Sequence, residues 1–117
     1  MFIDENVSFL GDVNPENGLL FEKYYLGNKI LILRSTKGST VGSYILYSLK
    51  KKNHAPLGIV STIPDPVLIT GCVIANIPLL IISPNSLNEI KLFISKSSRD
   101  VMGELDTIRG MLVLMTI

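Results

Sequence analysis

Among its 117 residues the chain has one cysteine, Cys72, and one histidine, His54. A single thiol excludes an internal disulfide and any metal site built from several cysteines, and it suits a reducing compartment. Cys72 lies in the apolar run Gly71-Cys72-Val73-Ile74-Ala75, where a buried, unreactive thiol is the default. No arrangement of histidine, cysteine and carboxylates suggests a metal site, so none is expected on this chain. Charge is also sparse. Eleven Lys and Arg against 10 Asp and Glu give a net +1, and the sequence pI is near 7.8. Neither value argues for a nucleic-acid face or an acidic-membrane face. The one basic cluster, Lys50-Lys51-Lys52, reads as a solvated helix end whose cations complement the helix dipole. No apolar run approaches the ~20 residues that a membrane helix needs. Met1 to Leu10 contains Asp4 and Glu5 and lacks a basic start, so no signal peptide is expected and the location implied is cytoplasmic. Repeats, low-complexity segments and linkers are missing too, which leaves residues 1–117 as one expected domain.

What is present is a globular composition, 47% hydrophobic and 18% charged,. The region from Phe2 to Phe9 reads as short extended structure broken at Asp4-Glu5-Asn6. Asn14-Pro15-Glu16-Asn17-Gly18 reads as a turn, and Leu19 to Tyr25 as a strand. Lys29 to Leu33 is a continuous apolar strand of the kind buried on both faces of a parallel sheet. A Ser/Thr/Gly-rich loop is expected over Arg34 to Gly42. Ser43 to Lys52 carries Ile45, Leu46 and Leu49 at helical spacing. Leu57 to Ser61 is a second apolar strand. Asp65 caps a helix with Pro66 at its first position and Val67 to Ala75 as its body. Asn76-Ile77-Pro78 ends that helix, and Leu79 to Ile82 is a third apolar strand. Beyond it, Ser86 to Ile90 reads as a helical turn, and Ile90 to Ile94, Val101 to Leu105 and Met111 to Ile117 as strands. The expected fold is α/β, with a parallel β-α-β-α-β centre and β-rich flanks.

Open α/β sheets place ligands where a buried parallel strand ends and a helix begins. Thr36, Lys37, Gly38, Ser39, Thr40, Gly42 and Ser43 occupy such a junction. The glycines permit a sharp bend and close approach to a ligand, and the helix start favours negative charge. Gly38-Ser39-Thr40-Val41-Gly42 matches neither a P-loop nor a three-glycine dinucleotide fingerprint. Two readings stay open: an ordinary Ser/Thr helix cap, or a reactive serine at Ser39. His54 reads as an exposed loop residue rather than a base. The carboxylates form no clear acid/base pair.

Four segments taken together carry a resemblance. They are Val7-Ser8-Phe9-Leu10-Gly11-Asp12-Val13-Asn14-Pro15-Glu16-Asn17-Gly18, Lys37-Gly38-Ser39-Thr40-Val41-Gly42-Ser43-Tyr44, Ala55-Pro56 and Asp65-Pro66. In order and spacing, from about Asp4 to Ile82, the chain resembles the swivelling small subunit of aconitase X enzymes. The resemblance implies a swivelling β/β/α domain that pairs, as a heterodimer, with a large subunit. That subunit would hold the iron–sulfur cluster (a four-iron four-sulfur cluster) and most contacts to a small hydroxy-acid substrate. The activity implied is that of a hydro-lyase, and the chain is expected to be inactive alone. Archaeal stand-alone members dehydrate (R)-5-phosphomevalonate to trans-anhydromevalonate 5-phosphate in a mevalonate route to isoprenoids. Bacterial relatives dehydrate cis-3-hydroxy-L-proline. The family's proton acceptor, the first Ser after the Gly of this loop, falls on Ser39, with Lys37, Gly38 and Thr40 as supporting residues. Thr40 stands where the family commonly has Ser, and Arg34 where it commonly has Pro. The family also has a further strand before the Asp4-Glu5 region, so an open sheet edge is expected there. A stand-alone chain points to phosphomevalonate. The alternatives are a hydroxyproline dehydratase subunit and a non-catalytic anion-binding or scaffold module of the same fold.

Overall fold

The computed structural model describes residues 1–38, 40–97 and 101–116. Strand β1 (Phe2–Val7) is followed by a short helix α1 (Phe9–Asp12) and three two-residue strands, β2 (Val13–Asn14), β3 (Leu19–Leu20) and β4 (Tyr24–Tyr25). Next come β5 (Ile30–Thr36), α2 (Gly42–Lys51), β6 (Gly58–Ser61), α3 (Pro66–Ala75) and β7 (Leu79–Ile81). Helix α4 (Pro84–Lys96) and the strands β8 (Val101–Asp106) and β9 (Met111–Thr116) complete the order. The central sheet has four strands in the order β1-β5-β6-β7, all paired in parallel. β2-β3-β4 and β8-β9 form separate antiparallel sheets.

Alternation along the strands divides the interior in two, because successive side chains point to opposite faces. Leu31, Leu33 and Ile59 face Leu46, Leu49, Leu68, Cys72 and Ala75 of α2 and α3. Ile32 and Val60 face the other way, onto Leu87 of α4 and Leu105 and Leu112 of the terminal hairpin. The layers are therefore helices, parallel sheet, then hairpin with α4, the β/β/α arrangement the resemblance implied.

Several boundaries differ from the sequence-based expectation. β1 runs unbroken through Asp4-Glu5. The two residues oppose Arg34 alone, a β-bulge between the Ile3–Leu33 and Asn6–Ser35 partners,. Leu19 to Tyr25 is two strands folded on a turn, with Phe21 and Glu22 at φ 54° and 58°. β5 extends to Thr36, so the loop before α2 is shorter than expected. Ile90 to Ile94 is helical, within α4. Ser83 caps that helix by accepting from the Ser86 amide at 3.1 Å, and Pro84 opens it. Leu87, Ile90 and Ile94 then form an i, i+3, i+7 stripe, which packs inward once a helix is nucleated. The turn at Asn14–Gly18, the Asp65 cap with Pro66 and the end of α3 at Asn76 stand as expected, and Asn76 makes that stop in the left-handed conformation (φ 54°).

Candidate functional site

Parallel strands share one carboxyl edge, so the segments following β1, β5, β6 and β7 gather on one rim. That rim is rich in hydroxyls. Ser35 donates to the Asn6 carboxamide oxygen of the neighbouring strand. The Thr62 hydroxyl donates to the Arg34 carbonyl at 2.6 Å, and its amide donates to the same oxygen at 3.2 Å. Asp65 uses both carboxylate oxygens. One accepts from the Val67 amide at 3.0 Å and the other from the Thr36 hydroxyl at 2.5 Å. Sequence reasoning assigned Asp65 the cap alone and passed over Asn6 and Thr62.

The loop between β5 and α2 leaves the centre of this rim. The Lys37 amide donates to the Val7 carbonyl at 3.0 Å, which docks the loop onto the end of β1. Gly38 has φ +106°, and a Cβ there would stand 2.7 Å from the Ser8 hydroxyl. Glycine is therefore required twice, by conformation and by space. Ser8 is itself held: its hydroxyl accepts from the Gly11 amide at 3.3 Å, and its amide donates to the Asp12 carboxylate at 2.9 Å. On the exit side the Thr40 carbonyl accepts from the Ser43 hydroxyl at 2.9 Å. Lys37, Gly38 and Thr40 are exposed on the rim. Ser39 lies outside the described residues. Val41, in helical conformation, stands at the N-cap position of α2, and among the described residues no side chain is recorded as its cap.

His54 is not an exposed loop residue. It is half-buried, with its Nδ1 2.9 Å from the Tyr25 hydroxyl and its ring edge-on to Tyr25. It joins the end of α2 to β4, away from the loop. Lys50 and Lys51 close the last turn of α2, and Lys52 pairs with Glu16. Cys72 is buried, and burial pushes its thiol up to about 12, so it stays protonated at neutral pH,. Among the described residues no group of three His, Cys, Asp or Glu is placed to hold a metal ion. An iron–sulfur cluster needs several thiolates, so the residues of this chain do not fit one. No helix among the described residues is long and apolar enough to cross a membrane.

A three-layer β/β/α domain with a glycine-turned loop on the carboxyl rim of its parallel sheet is the arrangement of a swivelling domain. The family model for the aconitase X swivel domain matches residues 1–108, and the chain belongs to that family. It is similar to the phosphomevalonate dehydratase small subunit of Aeropyrum pernix, 43% identical over 75 residues, which covers 64% of this chain and 57% of that one. The protein of the same name from Methanosarcina acetivorans is 39% identical over 80 residues, covering 63% of this chain and 56% of the relative. The chain thus spans less than two thirds of the length of either. Among solved structures, the crystal structure of Thermococcus kodakaraensis aconitase X in its holo-form superposes with a TM-score of 0.81 at 30% identity. That match covers 98% of this chain and 86% of the other.

Proposed function

We propose that the chain is the small subunit of a hydro-lyase which, with a large iron–sulfur subunit, dehydrates (R)-5-phosphomevalonate to trans-anhydromevalonate 5-phosphate. The observation that carries this reading is the docking of the Lys37–Val41 loop on the carboxyl rim, with Gly38 turned against Ser8. That loop holds the serine which the family uses as proton acceptor. The shared name of the relatives, phosphomevalonate dehydratase small subunit, favours this substrate over cis-3-hydroxy-L-proline.

In this reading Ser39 removes the proton α to the substrate carboxylate. A serine alkoxide is stable only in a dry site with donors and positive charge nearby. The start of α2 supplies a favourable dipole, and Lys37 is the cation closest in sequence. Gly38 and Thr40 shape the approach to Ser39. The cluster belongs to the large subunit, because this chain offers no ligand set for it. The exposed apolar side chains of α3 support a partner of this kind. Val73 is 74% exposed and Ile74 52%,. A cytoplasmic enzyme is part of the same reading.

Anaerobic co-expression with the large subunit, followed by assay of 5-phosphomevalonate dehydration, tests it. Ser39→Ala is expected to lower kcat by about 10²–10⁴-fold with the complex intact. Full turnover by that variant would remove Ser39 as the base. Turnover of cis-3-hydroxy-L-proline in place of phosphomevalonate would overturn the substrate.

A further inference from the structure

We infer that Thr36 and Asp65 are positioning residues, a strut that fixes the entry of the Lys37–Val41 loop against the start of α3. The inference rests on the proposed dehydratase reading for its kinetic consequence and on geometry for its structural one.

Thr36 is the last residue of β5, the residue from which the loop departs. Its hydroxyl donates to one Asp65 oxygen at 2.5 Å, a short charge-assisted bond,. The other Asp65 oxygen holds the Val67 amide at the start of α3. Asp65 needs only one oxygen to cap its helix. The second holds Thr36 at the end of β5, where the loop begins, and both residues are half-buried, where such a bond is less screened than in bulk water,. The strut has a counterpart on each other side of the loop. The Lys37 amide is tied to Val7 of β1, and the Thr40 carbonyl to Ser43 of α2. Gly42 completes the enclosure, since a Cβ there would meet Val67 at 3.4 Å. Three neighbouring elements therefore hold the residues on either side of position 39. Asp65 joins the residue from which the loop departs to the start of α3. A base must sit within a few tenths of an ångström of its proton, and small displacements lower turnover steeply.

The discriminating variant is Thr36→Val, which keeps shape, β-propensity and the α3 cap and deletes only the hydroxyl. In the complex with the large subunit, kcat is expected to fall about tenfold while KM stays within about twofold, as for loss of one charge-assisted hydrogen bond that orients a catalytic group. Hydrogen exchange on the chain alone is expected to quicken about tenfold at the 37–41 amides and to stay unchanged at β5 and β6. Thr36→Ser should restore both. Wild-type kcat together with wild-type loop exchange in Thr36→Val would overturn the inference. Faster exchange across β5 and β6 as well would also overturn it, because the hydroxyl would then support the sheet in general. Ser39→Ala in the same assay separates the two failures. If that variant turns over normally, the assignment of the base falls, and loop exchange in Thr36→Val still decides whether the strut exists.

Discussion

At the scale of single residues, one carboxylate is held by two cations on the face of the sheet that packs α4. The Asp4 carboxylate accepts from Arg34 Nε at 2.6 Å and from Lys91 Nζ at 2.7 Å. The β-bulge puts Asp4 there by setting two residues of β1 against one of β5. These two cations hold its carboxyl well below the usual range, at about 2,. A depressed carboxylate contributes stability above its unfolded value near 4 and loses it as pH falls through the folded value. Urea midpoints should therefore decline for the wild type between about pH 4 and pH 2, on account of this residue. Asp4→Asn should start from a lower midpoint at neutral pH and show a flatter decline over that window. A parallel decline in both proteins would show that the pair adds nothing, as many exposed ion pairs do.

At the scale of elements, α2 and α3 pack closely because Gly71 has no side chain. A Cβ at that position would stand 2.5 Å from the Leu46 Cδ1 atom and 3.0 Å from the Ser43 Cα. The leucine tip can turn aside, but the backbone of α2 cannot, so the helices must part. Gly71→Ala gains helix propensity yet should cost about 1–3 kcal/mol through overpacking, read as a lower melting temperature. An unchanged or raised melting temperature would show that the interface yields. Elements also set the limits of reading by pattern. Helices α2 and α3 were legible from spacing, a cap and terminal lysines. α4 was misread over Ile90–Ile94 because a short apolar run fits a strand as well as a helix. Its Ser83 cap and its Leu87, Ile90 and Ile94 stripe only decide the matter when taken together. The extension of β5 was missed for the opposite reason. Arg34, Ser35 and Thr36 look like loop residues, and only pairing with Asn6 and Val7 of β1 makes them a strand.

At the scale of the whole molecule, α3 is apolar on both sides. No charged residue occurs between Asp65 and Glu89. Leu68, Cys72 and Ala75 enter the core, while Ile69, Val73 and Ile74 face outward. A helix apolar all round is normally covered all round, and the proposed large subunit is the cover this reading supplies. Val73→Lys should leave the melting temperature of the isolated chain nearly unchanged, as surface substitutions do. It should also reduce recovery of the large subunit on co-purification. Equal recovery with wild type would place the contact elsewhere.

The α/β class, the parallel centre, the α3 boundaries and the family are legible in the order of residues, because these depend on local periodicity, caps and ordered motifs. The sequence also singled out Lys37-Gly38-Ser39-Thr40 within a loop expected over Arg34 to Gly42, since a polar, glycine-bearing segment between an apolar strand and a helix is a local signal. What surrounds that loop depends on how the chain packs. Ser8, Val7, Thr36 and Asp65 meet there because the parallel strands β1, β5 and β6 end on one rim, and no sequence spacing records which strands lie side by side. The same holds for His54, which pattern assigned to solvent and packing assigned to Tyr25.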